Sequence, residues 1–219
     1  MKIVAILPMR HSSERVVGKN YRNLGDKPLF HHILDTLLVV PEISQVVIDT
    51  DSPTIKAQVR EKYDPVRVID RPEHLRDGNI AMNEVLLNTT SVVEADLYLQ
   101  THSTNPFLRP ETIQRSIDVL QKSEDADSLF GVTRLQARLW RPDGAAINHD
   151  PGRLLRTQDL EPVYLENSCL YLFDRPTLLR KGNRIGDNPV LFEIEPREAL
   201  DIDDESDFQL ARAMLVMTS

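Results

Sequence analysis

Short runs of consecutive apolar residues alternate along this chain with longer stretches in which apolar residues recur every three or four positions. The first run, residues 2 to 7 (KIVAIL), is of strand length and apolar almost throughout, which predicts a central parallel strand buried on both faces. Similar runs follow at 45–50, 66–70, 96–100, 128–133, 168–173 and 190–194. Helical spacing fills the early intervals, with Leu29, Ile33, Leu34, Leu37 and Leu38, then Ile55 to Val59, then Ile80, Val85 and Leu86, then Ile113, Ile117 and Leu120. Pro28, Pro53 and Pro110 stand at first-turn positions, and Ser52 suits an N-cap. The expected fold is α/β, a doubly wound and mostly parallel sheet, closed by an amphipathic helix from Glu205 to Met217. Between Leu135 and Tyr164 the alternation gives way to arginines, Pro142, Asp143-Gly144 and Pro151-Gly152. Residues 135–165 therefore read as an excursion, a lid or a dimer arm.

Length and charge narrow this picture. With roughly 150 residues per domain as a guide, 219 residues fit one domain, 1–219, with that excursion. Hydrophobic residues at 41% and charged residues at 27% suit a globular protein and exclude a membrane-spanning one. The net charge of −8 repels nucleic acid and anionic membrane surfaces, so an anionic ligand needs a local basic cluster. One cysteine forms no intrachain disulfide, and Ile3 to Pro8 is too short for a signal-peptide core, so the expected compartment is the cytoplasm.

Such a cluster follows the first run. Residues 8–20, PMRHSSERVVGKN, hold Arg10, Arg15 and Lys19 with Ser13, Gly18 and Asn20. In an open α/β sheet, ligands lie at the carboxyl ends of the strands, where such a loop can turn amides and cationic side chains towards phosphate. The glycines of a Rossmann fingerprint or a Walker loop are missing. A solvated connection is the plainer alternative. A second cluster is DIDDE, in which Asp201 and Asp203, at i and i+2 of an extended segment, point to one side with Cα atoms roughly 6.5–7 Å apart. That pair can share a hard cation such as Mg²⁺, which favours a few carboxylates, water and phosphate oxygens. The competing reading is an acidic helix cap. His31 and His32 are adjacent and cannot form a metal pair on one helix face, Cys169 reads as a small buried residue, and Arg138-Leu-Trp140-Arg141 suits an arm better than nucleic-acid stacking.

Five separated stretches resemble the cytidylyltransferases that activate 2-keto sugar acids, the acylneuraminate branch related to the KDO cytidylyltransferases. They are Pro8, Arg10, Ser13 and Gly18-Lys19-Asn20; Leu24-Gly25 and Lys27-Pro28-Leu29; Thr50-Asp51-Ser52 with Arg71-Pro72; LYLQTHSTNPFLRP at 97–110; and Asp201-Ile202-Asp203 entering the last helix. The chain departs from the pattern at Glu14, Arg15 and Val17, at Thr101, His102 and Thr104-Asn105, and at Ser168, where the family has glycine in an Asn-Gly-x-x-Tyr segment.

The resemblance implies a nucleotide-diphospho-sugar transferase-like fold and transfer of CMP from CTP to the anomeric hydroxyl of a sialic-acid-like sugar, with Mg²⁺ and release of pyrophosphate. Arg10, Lys19, Asp201 and Asp203 are then catalytic, the two aspartates holding the metal. Arg10, Ser13, Lys19, Asn20 and Arg71 bind nucleotide, with Arg71 reading cytosine or, as plainly, pairing with Glu73 or Asp77. Gln100, His102, Ser103, Asn105, Tyr164 and Asn167 face the sugar, and the 135–165 arm reaches across a homodimer axis. Two alternatives stay open: an acceptor bearing phosphate or phosphonate, and a catalytically weak nucleotide-binding relative.

Overall fold

The computed structural model describes residues 1–13 and 15–218; Glu14, one of the departures in the first loop, lies outside the described residues. Along the chain run β1 (Ile3–Met9), β2 (Asn23–Leu24), β3 (Lys27–Pro28), α1 (Leu29–Leu38), β4 (Ile43–Thr50), α2 (Pro53–Lys62), β5 (Arg67–Asp70), α3 (Met82–Val92) and β6 (Leu97–Thr101). They continue with α4 (Pro110–Lys122), β7 (Ser128–Leu135), β8 (Val163–Phe173), α5 (Arg175–Lys181), β9 (Pro189–Glu193) and α6 (Glu205–Thr218).

Seven strands form one sheet in the order β5-β4-β1-β6-β8-β7-β9. β1 is parallel to both β4 and β6, β4 to β5 and β7 to β9, while β8 runs antiparallel to β6 and β7. All seven residues of β1 are buried, as its unbroken apolar run requires. Phe30, Ile33, Leu34 and Leu37 of α1, Ile55 and Val59 of α2, and Ile113 and Ile117 of α4 cover one face. Leu86 of α3 and Leu178 of α5 cover the other, so the sheet is wound on both sides. Each of these buried apolar side chains contributes about 1.5–3 kcal/mol of transfer free energy.

Local signals act where their chemistry predicts. Ser52 caps α2 by accepting from the Ile55 amide, and Pro53 and Pro110 open α2 and α4. Ile80 lies outside its helix, which starts only at Met82. α5, capped by Asp174 Oδ1 on the Thr177 amide, is too short to show a hydrophobic period. Ser168 holds φ 59° at the position where the resembled pattern has glycine; a side chain in that left-handed region costs roughly 1–2 kcal/mol. The strain lies beside the register shift between β7 and β8.

The 135–165 excursion joins the two ends of the β7–β8 ladder, whose last pairs are Arg134 with Tyr164 and Leu135 with Val163. It holds one bridge, Trp140 to Ala146, and a 3-10 turn at Thr157–Asp159. Trp140, Ile147, Leu154, Tyr164 and Leu165 are exposed there. Among the described residues no helix is long and apolar enough to cross a membrane.

Candidate active site

The chain passes from β1 through α1 to β4 on one side of β1, and later returns to place β6 on the other side. Loops leaving the carboxyl ends of β1 and β6 therefore diverge, opening the crevice in which doubly wound sheets bind ligands. A cleft of about 420 Å³ lies there. Its walls come from the loop after β1 (Arg10, Ser13, Arg15, Lys19, Asn20), from Arg71 to the first residue of α3, Met82, and from His102, Ser103 and Thr104 after β6.

The loop after β1 is shaped by its own side chains and its neighbours. Gly18 has φ 65°, and a Cβ there would lie 2.7 Å from the Tyr21 ring, so glycine is required for the turn that presents Lys19. The His11 amide donates to Asp51 Oδ1 at 2.8 Å, and its ring Nδ1 meets Ser52 Oγ at 2.8 Å, tying the loop to the start of α2. Asn20 donates to the Arg10 carbonyl at 2.8 Å and accepts from Ser103 Oγ at 2.7 Å. The nitrogen end of the Asn20 amide thus closes the β1 loop on itself, and the oxygen end ties it to the β6 loop. Arg10 and Ser13 line the cleft beside them.

Lys19 joins this loop to the acidic segment. Its Nζ donates to the Ile202 carbonyl at 2.6 Å and lies 3.7 Å from Asp203, while Arg15 pairs with Asp203 at 2.7 Å. Burial lowers the Lys19 ammonium below its usual range, with Asp203 and Asp201 opposing that shift. Ile202 is fully buried beside Leu24, Leu29 and Phe208, and its amide donates to the Thr104 carbonyl. Ile202 is anchored inward, while Asp203 stands half-exposed against Arg15 and Lys19. The helix-cap alternative holds for Asp204, whose Oδ1 accepts from the Asp207 amide, while Asp207 Oδ2 accepts from the amides of Asp203 and Asp204.

Asp201 Oδ1 is buried without a hydrogen-bond partner, and burial raises the pKa of its carboxyl. An orphaned carboxylate oxygen beside Asp203 suits a hard cation that takes its other ligands from water and phosphate. No group of three or more His, Cys, Asp or Glu among the described residues could cage a metal by itself. The donor set fits Mg²⁺ shared with a bound nucleotide.

Arg71 lines the cleft but is 2% exposed, its Nε donating to Asp49 Oδ1 at 2.5 Å and its fork reaching the Asp49 carbonyl at 3.1 Å. The expected pairing with Glu73 or Asp77 is corrected: the partner is Asp49, a β4 residue 22 positions away that spacing could not indicate. Three of the residues expected at the sugar stand elsewhere. Asn105 is fully buried and donates to the Leu200 carbonyl, bracing the segment that leads to Asp201. Asn167 bonds Thr133 Oγ1 and the Cys169 amide, satisfying the backbone at the irregular β7–β8 register. Tyr164 is exposed on the arm's stem. Gln100 is buried beneath the cleft and His102 and Ser103 line it.

Arg184 is a residue the sequence did not flag, since it lies in KGNRIGDN, a coil without a motif. Its guanidinium sits 3.5 Å from the Tyr171 ring centroid and donates to Gln100 Oε1 at 2.6 Å. Cys169 is buried, with its thiol pushed upward by burial, and His32 meets the Leu24 carbonyl at 2.9 Å.

A cationic loop and an acidic pair meeting at the switch point of a doubly wound sheet define a nucleotide-binding α/β protein. The chain belongs to the cytidylyltransferase family of enzymes, whose sequence profile matches residues 4–213. It is 26% identical over 218 residues to the N-acylneuraminate cytidylyltransferase of Escherichia coli O18:K1:H7, an alignment covering 96% of this chain and 51% of that protein. It is also 26% identical to the CMP-N,N'-diacetyllegionaminic acid synthase of Legionella pneumophila, covering 98% and 97%. The chain thus spans about half the length of the first relative and nearly all of the second. The fold matches CMP-2-keto-3-deoxy-manno-octonic acid synthetase solved with CTP, at TM-score 0.74 and 16% identity over the whole of both chains. It also matches 4-diphosphocytidyl-2C-methyl-D-erythritol synthase of Anaerococcus prevotii, at TM-score 0.72 and 16% identity over 98% and 96%.

Proposed function

We propose that this chain transfers the cytidylyl group of CTP to the anomeric hydroxyl of a sialic-acid-like 2-keto sugar acid and releases pyrophosphate. The observation that carries this reading is the junction made by Lys19, whose Nζ bridges the cationic loop to the backbone between Asp201 and Asp203. Arg10 and Lys19 neutralise the β- and γ-phosphates, Ser13 donates to phosphate, and Asn20 keeps the loop in shape. Asp201 and Asp203 would hold Mg²⁺, which would supply charge neutralisation at the α-phosphate. The anomeric oxygen forms the new P–O bond as the bond to pyrophosphate breaks, and the hydroxyl proton passes to water. Arg71, its fork fixed by Asp49, offers its remaining N–H groups to the base, and His102 and Ser103 face the sugar.

Residues 1–219 act as one catalytic domain in the cytoplasm, where CTP is available. The exposed arm from 135 to 165, with Trp140 and Leu165, packs on a second copy in a homodimer. Turnover with each of the four nucleoside triphosphates against N-acetylneuraminate, N,N'-diacetyllegionaminate, KDO and a sugar phosphate tests the reaction. CTP-specific pyrophosphate release with one of the sugar acids is expected. Turnover only with the phosphate-bearing acceptor, or with none, overturns it.

A further inference from the structure

Beneath the sugar end of the cleft lies a chain of hydrogen bonds whose direction is fixed by chemistry. Arg184 can only donate, so the atom it meets at 2.6 Å is the Gln100 oxygen. The Gln100 amide nitrogen is therefore turned towards His102 Nε2 at 2.7 Å, with the Thr101 carbonyl at 3.2 Å as its second acceptor. A donor facing Nε2 requires that nitrogen to accept, which places the imidazole proton on Nδ1. Gln100 is fully buried, whereas His102 lines the cleft. Burial first, and then the charges of Arg184 and Lys19, hold the imidazole down to about 3, so it is neutral at physiological pH.

Arg184 itself sits over the Tyr171 ring, whose hydroxyl donates to Glu166. It makes no ion pair with a carboxylate among the described residues, and burial lowers its pKa from the ordinary value. Tyr171 and the Glu166 charge behind it offset part of that burial, yet a guanidinium held without a direct ion pair is costly unless its charge or its hydrogen bonds are used.

We propose, building on the sugar-acid reading above, that Arg184 is a positioning residue for acceptor selection: through Gln100 it locks His102 in the Nδ1–H tautomer, giving the cleft a neutral donor backed by positive charge that favours an anionic acceptor. Arg184 acts through Gln100 and His102 rather than by touching the nucleotide. Its loss therefore affects the acceptor and leaves CTP alone.

Protein labelled with ¹⁵N-histidine reports the tautomer directly by NMR, His102 being assigned by the signal missing from His102→Gln. The parent is expected to show Nδ1–H, and Arg184→Met a mixture of tautomers. Gln100→Glu, which keeps an acceptor for Arg184 but offers no donor to His102, is expected to move the proton to Nε2, and it decides the matter should Arg184→Met fail to fold. In kinetics, Arg184→Met should raise KM for the acceptor at least tenfold with KM for CTP within twofold, and Arg184→Lys should recover part of the loss. An Nε2–H tautomer in the parent, an unchanged tautomer in both variants, or parallel rises in both KM values would overturn the proposal. Absence of turnover with every sugar acid would overturn the preceding reading instead, and the tautomer measurement would still decide the relay.

Discussion

Replacing Arg71 with Met should destabilise the protein sharply even though it removes no hydrophobic contact. Asp49 is fully buried in β4, and its Oδ1 meets the Arg71 Nε at 2.5 Å while its Oδ2 accepts from Thr89 Oγ1 at 2.9 Å. Removing the guanidinium leaves an uncompensated buried carboxylate, which costs about 3–5 kcal/mol. At about 2.1 cal/mol/K of unfolding entropy per residue, this chain has about 0.46 kcal/mol/K, so Tm should fall by about 7–11 °C. Asp49→Leu should cost a similar amount by stranding the arginine. The double variant, with apolar groups at both positions, should recover most of the loss, because the pair's attraction and its desolvation largely cancel. Thermal unfolding of all four proteins by circular dichroism at pH 7 closes the cycle. Single variants within about 3 °C of the parent, or a double variant no better than the worse single, would refute the reasoning. The recovered double variant should still bind CTP weakly by calorimetry, since the fork at the cleft wall is gone.

Lys19→Ala and Arg10→Ala should each lower kcat/KM for CTP at least tenfold, as loss of a charge-assisted phosphate contact costs about 1.5–3 kcal/mol; parental values in a folded variant would remove the loop from the phosphate site. Asp203→Asn should abolish most Mg²⁺-dependent turnover, with Asp201→Asn similar or milder, and a Mg²⁺ titration showing undiminished rates in both would exclude the pair as ligands. Trp140→Asp with Leu165→Asp should yield a monomer in sedimentation velocity at micromolar protein; a parent that is itself monomeric and active would sink the arm's role. His31 is buried against Phe30 and Tyr63 with both ring nitrogens unpartnered, and burial lowers it to about 4. The unfolded chain binds a proton near pH 6.5 that the folded chain refuses, so this contribution is intact above pH 6.5 and fades as pH falls towards 4. Parent stability should drop by about 2–3 kcal/mol more than that of His31→Leu between pH 7 and 4.5, measured by urea unfolding; equal drops would refute it.

The sequence by itself determined the strands and the winding of the sheet, because a run such as residues 3–7 is too apolar to lie anywhere but between two neighbours. It determined the cap at Ser52 and the helix starts at Pro53 and Pro110 for the same local reason. The loop from Pro8 to Asn20 was legible as one wall of the cleft because its residues are contiguous. Partners distant along the chain were not. Nothing local joins Lys19 to Ile202, Arg71 to Asp49 or Arg184 to Gln100; only sheet order and helix packing bring them into contact. Tertiary structure also turned Asn105 and Asn167 inward, because buried backbone groups at Leu200 and Cys169 need partners more than the cleft needs another amide. Local periodicity fixes which face a residue occupies, whereas the choice between a ligand and a neighbouring main chain depends on what the fold leaves unsatisfied beside it.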